Sequence, residues 1–361
     1  MKLHFISLYC TSVLITLFYS QIALAQESKI EFIRGYVQSV ITEDIGSDTP
    51  IQKAKVKIVS GPETGTIVNV DNVQAGNRED LKIYEGQNIV LQNINRSDGS
   101  NDYFFQETFR LYPLLFVICA FLALVMFIGR KKGVMSIIGL LISISIIIYI
   151  IFPLIKSGWN ALLVSIIGTF LIASITILVA HGFNKRSFIS LISTFITLIC
   201  SILLSIATVD IVNLFGLGTE ESIFLKLDPS ISVNPKGLFL SGIIIGALGI
   251  LDDITTSQVA AIDEIRKANP NYGLKKLYTA GISIGNEHVA SMINTLALAY
   301  IGASLPMFLL LSLGGGTPMW VTINSAFISE EIIRTLVGSS ALLLAMPIST
   351  IFASYFYSKS K

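Results

Sequence analysis

Between Ser241 and Gly302 the sequence sets acids, amides and a histidine among residues that otherwise carry hydrocarbon. Asp252, Asp253 and Asp263 follow one glycine-rich apolar run, and Asn286, Glu287, His288, Ser291 and Asn294 lie within the next. Polar groups in a membrane interior cost free energy unless they pair or face water, so residues of this kind mark ion and solute paths. Their chemistry is acid–base and ionic. A carboxylate takes up a proton or helps to hold a cation, and imidazole changes charge near neutral pH. There is no HExxH and no convincing pair of nucleophile and base, so an intramembrane enzyme is the weakest of the readings. The absence of GxxxxGK[ST] means that any driving force would come from an ion gradient.

Helical spacing orders these residues. Gly242, Gly246, Gly249 and Asp253 fall at i, i+4, i+7 and i+11, one face of a helix. Such a stripe either lets a neighbouring backbone pack closely or leads into a cavity with an acidic mouth. In LDDITTSQVAAIDEIRKANP, Asp252, Thr256 and Asp263 share one face, with Asp253 and Glu264 at its shoulder. Ile254, Ala261, Ile262 and Ile265 fall opposite, which predicts an amphipathic helix ended by Asn269-Pro270. Asp252 and Asp253 then serve either as first-turn partners of the helix dipole or as a cation or proton site at the membrane face. Further on, Gly281 and Gly285 form a close-packing pair, while Glu287, Ser291 and Asn294 line a neighbouring face at i, i+4 and i+7. His288, beside Gly285 and Met292, is either a hydrogen-bonded packing residue or a titrating one. The geometric expectation is that the glycine–Asp253 stripe and the Glu287–Asn294 stripe face each other across one cavity open to the cytoplasm. Arg334 either pairs with Glu287 or snorkels outward, and snorkelling is favoured. Pro347 should bend the last helix.

The elements that must position these groups are membrane spans. Of the 361 residues, 52% are hydrophobic and only 14% charged, the composition of a polytopic membrane protein. A net charge of +1 leaves no electrostatic footprint for nucleic acid. Cys10, Cys119 and Cys200 form no CxxC motif, and neither a metal centre nor a cofactor is expected. Residues 1–25 read as a secretory signal ending in Ala23-Leu24-Ala25, with an uncleaved anchor as the rival. Residues 26–109 alternate in GYVQSVITE, KAKVKIVSG, GTIVNVDN and NIVLQ, which predicts a small antiparallel β domain, a partly closed five-stranded barrel of OB or SH3 type.

Residues 110–361 should form an all-α transmembrane bundle. The expected spans are Leu111–Gly129, Gly133–Ile155, Ala161–Ala180, Phe188–Val209, a short Gly237–Leu251, Thr279–Ala303 and Glu331–Phe356, with residues 252–278 as a cytoplasmic connector. Ser304–Leu313 would be a bent or re-entrant piece, and eight spans are the alternative to seven. Arg130-Lys131-Lys132, Lys185-Arg186, Arg266-Lys267, Lys275-Lys276, Lys359 and Lys361 fall on one side, against Arg110, Lys156, Lys226 and Lys236 on the other. That bias puts the β domain outside and the C-terminus in the cytoplasm of a bacterial inner membrane.

The strings GALGILDDITTSQVAAIDEI, GISIGNEHVASMINTLALAYIGASLP and EEIIRTLVGSSALLLAMPIST resemble the YibE/F-like family of bacterial multi-span membrane proteins, and the resemblance covers the whole chain. It implies an extracytoplasmic N-domain with seven or eight spans, and it singles out Asp252, Asp253, Asn286, Asn294 and Thr295. It implies little chemistry. The residues favour an ion-coupled transporter or exporter with a polar cavity between the fifth and sixth spans, its partners being the lipid bilayer and a proton or metal cation. The alternative is an assembly or sensory subunit whose β domain recognises a protein partner or a second copy.

Overall fold

The computed structural model describes residues 30–43, 51–72, 82–95, 101–229, 231–313, 316 and 318–359. The expected signal segment, residues 1–25, lies outside them. The chain divides into two compact units, residues 1–121 and 122–361. The division falls inside the first apolar segment, later than residue 109.

The first unit is a curled five-stranded antiparallel sheet. Strands β1 (Ile30–Glu43), β2 (Ile51–Ile58), β3 (Ile67–Asn72), β4 (Asn88–Asn95) and β5 (Asn101–Thr108) are ordered β3-β2-β1-β4-β5. The outer strands β3 and β5 also approach one another. Alternation puts Ile33, Val37, Val56, Ile58, Val70, Ile89 and Leu91 on the inner face, where all are buried. Curling needs a bend in the long β1, and the register shifts between Val37 and Ser39. Gly35 sits just before this bulge with no room for a Cβ against Val56. Gly61 and Gly65, at φ +98° and +100°, turn the chain between β2 and β3. Buried Gln52 holds the approach to β4 in place. Its Oε1 accepts from Ile83 N at 2.8 Å and its Nε2 donates to Ile83 O at 3.2 Å. Arg34 donates to Tyr112 Oη at 2.5 Å and lies over the rings of Phe109 and Tyr112.

The second unit is helical. Helix α1 (Leu111–Ile146) continues through a π-helical turn, Ile147–Ile151, into α2 (Phe152–Lys156). It is broken at Arg130, whose φ of 48° and ψ of −132° leave the helical region. Beyond the break Gly133 packs directly on the Val125 carbonyl, which a straight helix would hold about 12 Å away. Then come α3 (Ala161–His181), α4 (Lys185–Ile211), α5 (Glu220–Leu227), α6 (Pro235–Ala268), α7 (Leu274–Ala303), α8 (Leu305–Leu313), α9 (Met319–Asn324) and α10 (Ala326–Ser358). Asn160, Asn184 and Asn234 start α3, α4 and α6 by accepting backbone N–H groups on their side chains.

Among the described residues five helical stretches are long and apolar enough to cross a membrane: Leu111–Lys156, Ala161–His181, Lys185–Ile211, Pro235–Ala268 and Ala326–Ser358. They mark a membrane protein. Helix α7, with its amides and acid, is not one of the five.

Instead of a short span followed by a separate connector, α6 is one helix of 34 residues. No Gly or Pro interrupts it after Gly249, and its hydroxyls fold back on the helix: Thr256 Oγ1 donates to Asp252 O at 2.8 Å. Its second half is also packed inside the bundle, since Ile254, Thr255, Gln258, Val259 and Ile262 are buried. Around it Leu198 and Ile202 of α4, Val289 of α7, and Ala341, Leu342 and Met346 of α10 form the main core with Ile244, Leu251 and Ile254. The buried face of α4 is largely hydroxyl-bearing: Ser187, Ser190, Ser193, Thr194, Thr197, Ser201 and Ser205. Small residues let helices approach where lipid offers no hydrophobic driving force, and Thr194 meets Thr255 of α6, Oγ1 to Oγ1, at 2.7 Å.

Candidate functional site

Helix α6 carries Asp252 to the inner side of the bundle, toward α1 and α3. Its Oδ2 accepts from Thr176 Oγ1 of α3 at 3.1 Å. Its Oδ1 is buried and has no hydrogen-bond partner among the described residues. Beside it opens a cavity of about 220 Å³, edged by Ser136 and Ser143 of α1, Thr176 and His181 of α3, and Asp253 and Thr256 of α6. A carboxylate with a free lone pair, ringed by hydroxyls, is an oxygen-rich site suited to a proton or a hard cation. Asp253 sits at the exposed edge, where His181 and His288 both act on it electrostatically, while Lys132 and Arg186 act on His181. His181 and Asp253 thus both line the cavity.

Asp252, Asp253 and Thr256 are therefore together, with His288 near Asp253. Asp263 is not with them. It lies about 16 Å further along α6 and pairs with Lys267 at 2.7 Å. Glu287, Ser291 and Asn294 are exposed. The two stripes do not face each other across one cavity. The reason is the rotation of α7. Leu277, Gly281, Gly285 and Val289 form its buried line. A Cβ at Gly281 would run into Ile262 and lie 2.8 Å from Thr350 Cγ2, and one at Gly285 would lie 2.5 Å from Met346 Cγ. With that line against α6 and α10, the polar stripe points outward. On α6, a Cβ at Gly242 or Gly249 would meet nothing within 4 Å, and one at Gly246 would lie 3.4 Å from Tyr300 Oη.

Arg334 does not pair with Glu287. Half-buried, it pairs with Glu331 of its own helix at 2.6 Å and lies over the Phe239 ring. Reading the sequence alone missed Thr176, His181 and the α1 serines, which give no signal before α3 is known to lie beside Asp252. It also missed two buried polar clasps. Gln258 donates to Gly281 O at 2.7 Å and to Thr350 Oγ1 at 2.8 Å, joining α6, α7 and α10. Glu330, 4% exposed, accepts from Gly218 N at 3.0 Å. A Gln in the middle of an otherwise apolar helical face was the one available sign of the first.

The bundle that holds this site has a known sequence pattern, that of the YibE/F-like protein, which matches residues 117–359. The chain belongs to the YibE/F-like family. The YibE/F-like match takes in every residue of the Asp252 cavity and begins after the curled sheet, which stands outside it. No curated protein and no solved structure matches the chain.

Proposed function

We propose that this YibE/F-like protein is an ion-coupled secondary transporter or exporter in which Asp252 binds the coupling proton or cation. The observation that carries this is the half-satisfied carboxylate: one oxygen held by Thr176, the other buried and unpartnered beside an oxygen-lined cavity. A charge in that position is stabilised when a cation or proton joins it and is costly when it stands alone, so occupancy can favour one packing of the helices over another. The cavity of about 220 Å³ suits an ion with its water or a very small solute, since drug-sized ligands occupy about 300–1,000 Å³.

In this reading the sheet is extracytoplasmic and the bundle lies in the inner membrane, supported by the bias of Lys and Arg between the loops. Five apolar stretches, one more from the division of the first at Arg130 and one from α7 give seven crossings. The strand order, with β3 approaching β5, supports an OB-like, partly closed barrel. The test is proton or sodium flux into proteoliposomes under an imposed gradient. Asp252→Asn should abolish it, and unchanged flux in both Asp252→Asn and Asp253→Asn removes the site from the mechanism.

The outward stripe on α7 supports a second reading. Glu287, Ser291 and Asn294 need a polar neighbour in a membrane, which a second copy or a partner subunit would provide. An assembly role would show as a defined oligomer that Glu287→Leu disperses, with no gradient-driven flux in the wild type.

A further inference from the structure

At one end of the curled sheet the inward row stops being apolar. Glu31 pairs in register with Asn93, and Asn93 with Tyr103, across β1, β4 and β5. Two residues along on the same face, Ile33 and Leu91 are buried core. A sheet that needed only to fold would continue with apolar side chains there. A cavity of about 250 Å³ opens at this row, walled by Ile33, Ile58 and Pro62 and edged by Glu31, Glu63 and Asn93. Glu63, on the turn after β2, is held by two donors, Tyr103 Oη and Asn101 Nδ2, the latter at 2.7 Å. Burial and the adjacent Glu63 carboxylate keep the Tyr103 phenol above its ordinary range, so it stays a donor. Asn93 is 6% exposed, lines the cavity, and its Oδ1 has no hydrogen-bond partner among the described residues.

We propose that this pocket binds a primary ammonium group carried on an aliphatic stem. An ammonium has three donors and no acceptor, and the pocket presents acceptors: Asn93 Oδ1 and the carboxylates of Glu31 and Glu63. The lining is mainly polar, and Pro62 with the edges of Ile33 and Ile58 offers the first methylenes of the stem a small apolar contact. A calcium ion fits less well. It wants six to eight oxygens, whereas Glu63 already accepts from two side chains and the described residues hold no cluster of three or more acidic, His or Cys groups. The stem belongs either to a free amine or to a lysine of a protein that docks on the sheet.

Saturation-transfer NMR on the full-length protein in detergent, with n-butylammonium chloride as probe, tests this. The wild type should show saturable transfer to the butyl protons. Glu31→Gln and Asn93→Leu should weaken binding by roughly tenfold or more, and the near-isosteric Asn93→Asp, with its thermal transition checked against the wild type, adds an acceptor and should tighten it several-fold. Tighter binding of putrescine than of Nα-acetyl-lysine amide assigns the pocket to free amines, and the reverse order assigns it to a protein lysine. Equal affinity in the wild type, Glu31→Gln and Asn93→Asp, or binding of calcium chloride with none of n-butylammonium, overturns the proposal.

Discussion

Asp252 and Glu287 are both acids in adjacent helices of the bundle, yet one points in and the other out. Asp252 meets Thr176 and a cavity, whereas Glu287 is exposed on α7. The difference does not come from the acids. It comes from the glycines beside them. Gly281 and Gly285 make the flat surface of α7 that takes Ile262, Thr350 and Met346, so they fix its rotation and everything polar follows. The glycines of α6 have no such role, for Gly242 and Gly249 face open space, and the orientation of that helix is set by Leu251, Ile254 and Val259.

The comparison is broken most severely at Gly281. Gly281→Leu puts a branched side chain into Ile262 and Thr350, and overpacking of this kind costs about 1–3 kcal/mol or more. Loss of folded protein by size-exclusion chromatography in detergent is the expected result, and a normal thermal transition would deny the glycine its role. Asp252→Asn comes next: at least a tenfold loss of gradient-driven flux, with a thermal transition close to that of the wild type. Gln258→Leu removes two hydrogen bonds between helices, each worth about 0.6–1.7 kcal/mol in membrane bundles, and should lower the detergent melting midpoint while leaving flux in the surviving fraction. Glu287→Gln should leave both flux and melting nearly unchanged, so a flux loss equal to that of Asp252→Asn would mean that the two acids act as one site after all. Smallest of all, Gly249→Ala, with open space for its methyl, should stay within about 0.5 kcal/mol of the wild type or stabilise it slightly.

Much of the fold was legible because its signals are local. Alternation in β1 to β4, long apolar runs and the basic interruption at Arg130 each declare themselves within a few residues. Five strands were expected, but β5, Asn101–Thr108, was not placed, because the consecutive Tyr103-Phe104-Phe105 breaks the alternation and the segment leads straight into the apolar run of α1. The continuity of α6 escaped for a different reason: its acids suggested an end to the span, whereas nothing in the backbone chemistry there stops a helix. For the candidate site, helical spacing grouped Asp252 with Thr256 and Gly281 with Gly285 correctly as neighbours on a face. What spacing cannot supply is the direction that a face points. That depends on which helix packs where, a long-range fact carried by contacts such as Gln258 to Thr350, separated by 92 positions in the chain.

The unbroken run of α6 has a mechanical side. At 1.5 Å per residue its 34 residues measure about 51 Å, well beyond a hydrocarbon core of about 30 Å. Asp252 sits near its middle. A tilt of about 10° there would swing Ala268, about 24 Å away, through about 4 Å. If Asp252 binds the coupling ion as proposed, a label on Ala268 would report its occupancy without any hinge in the helix.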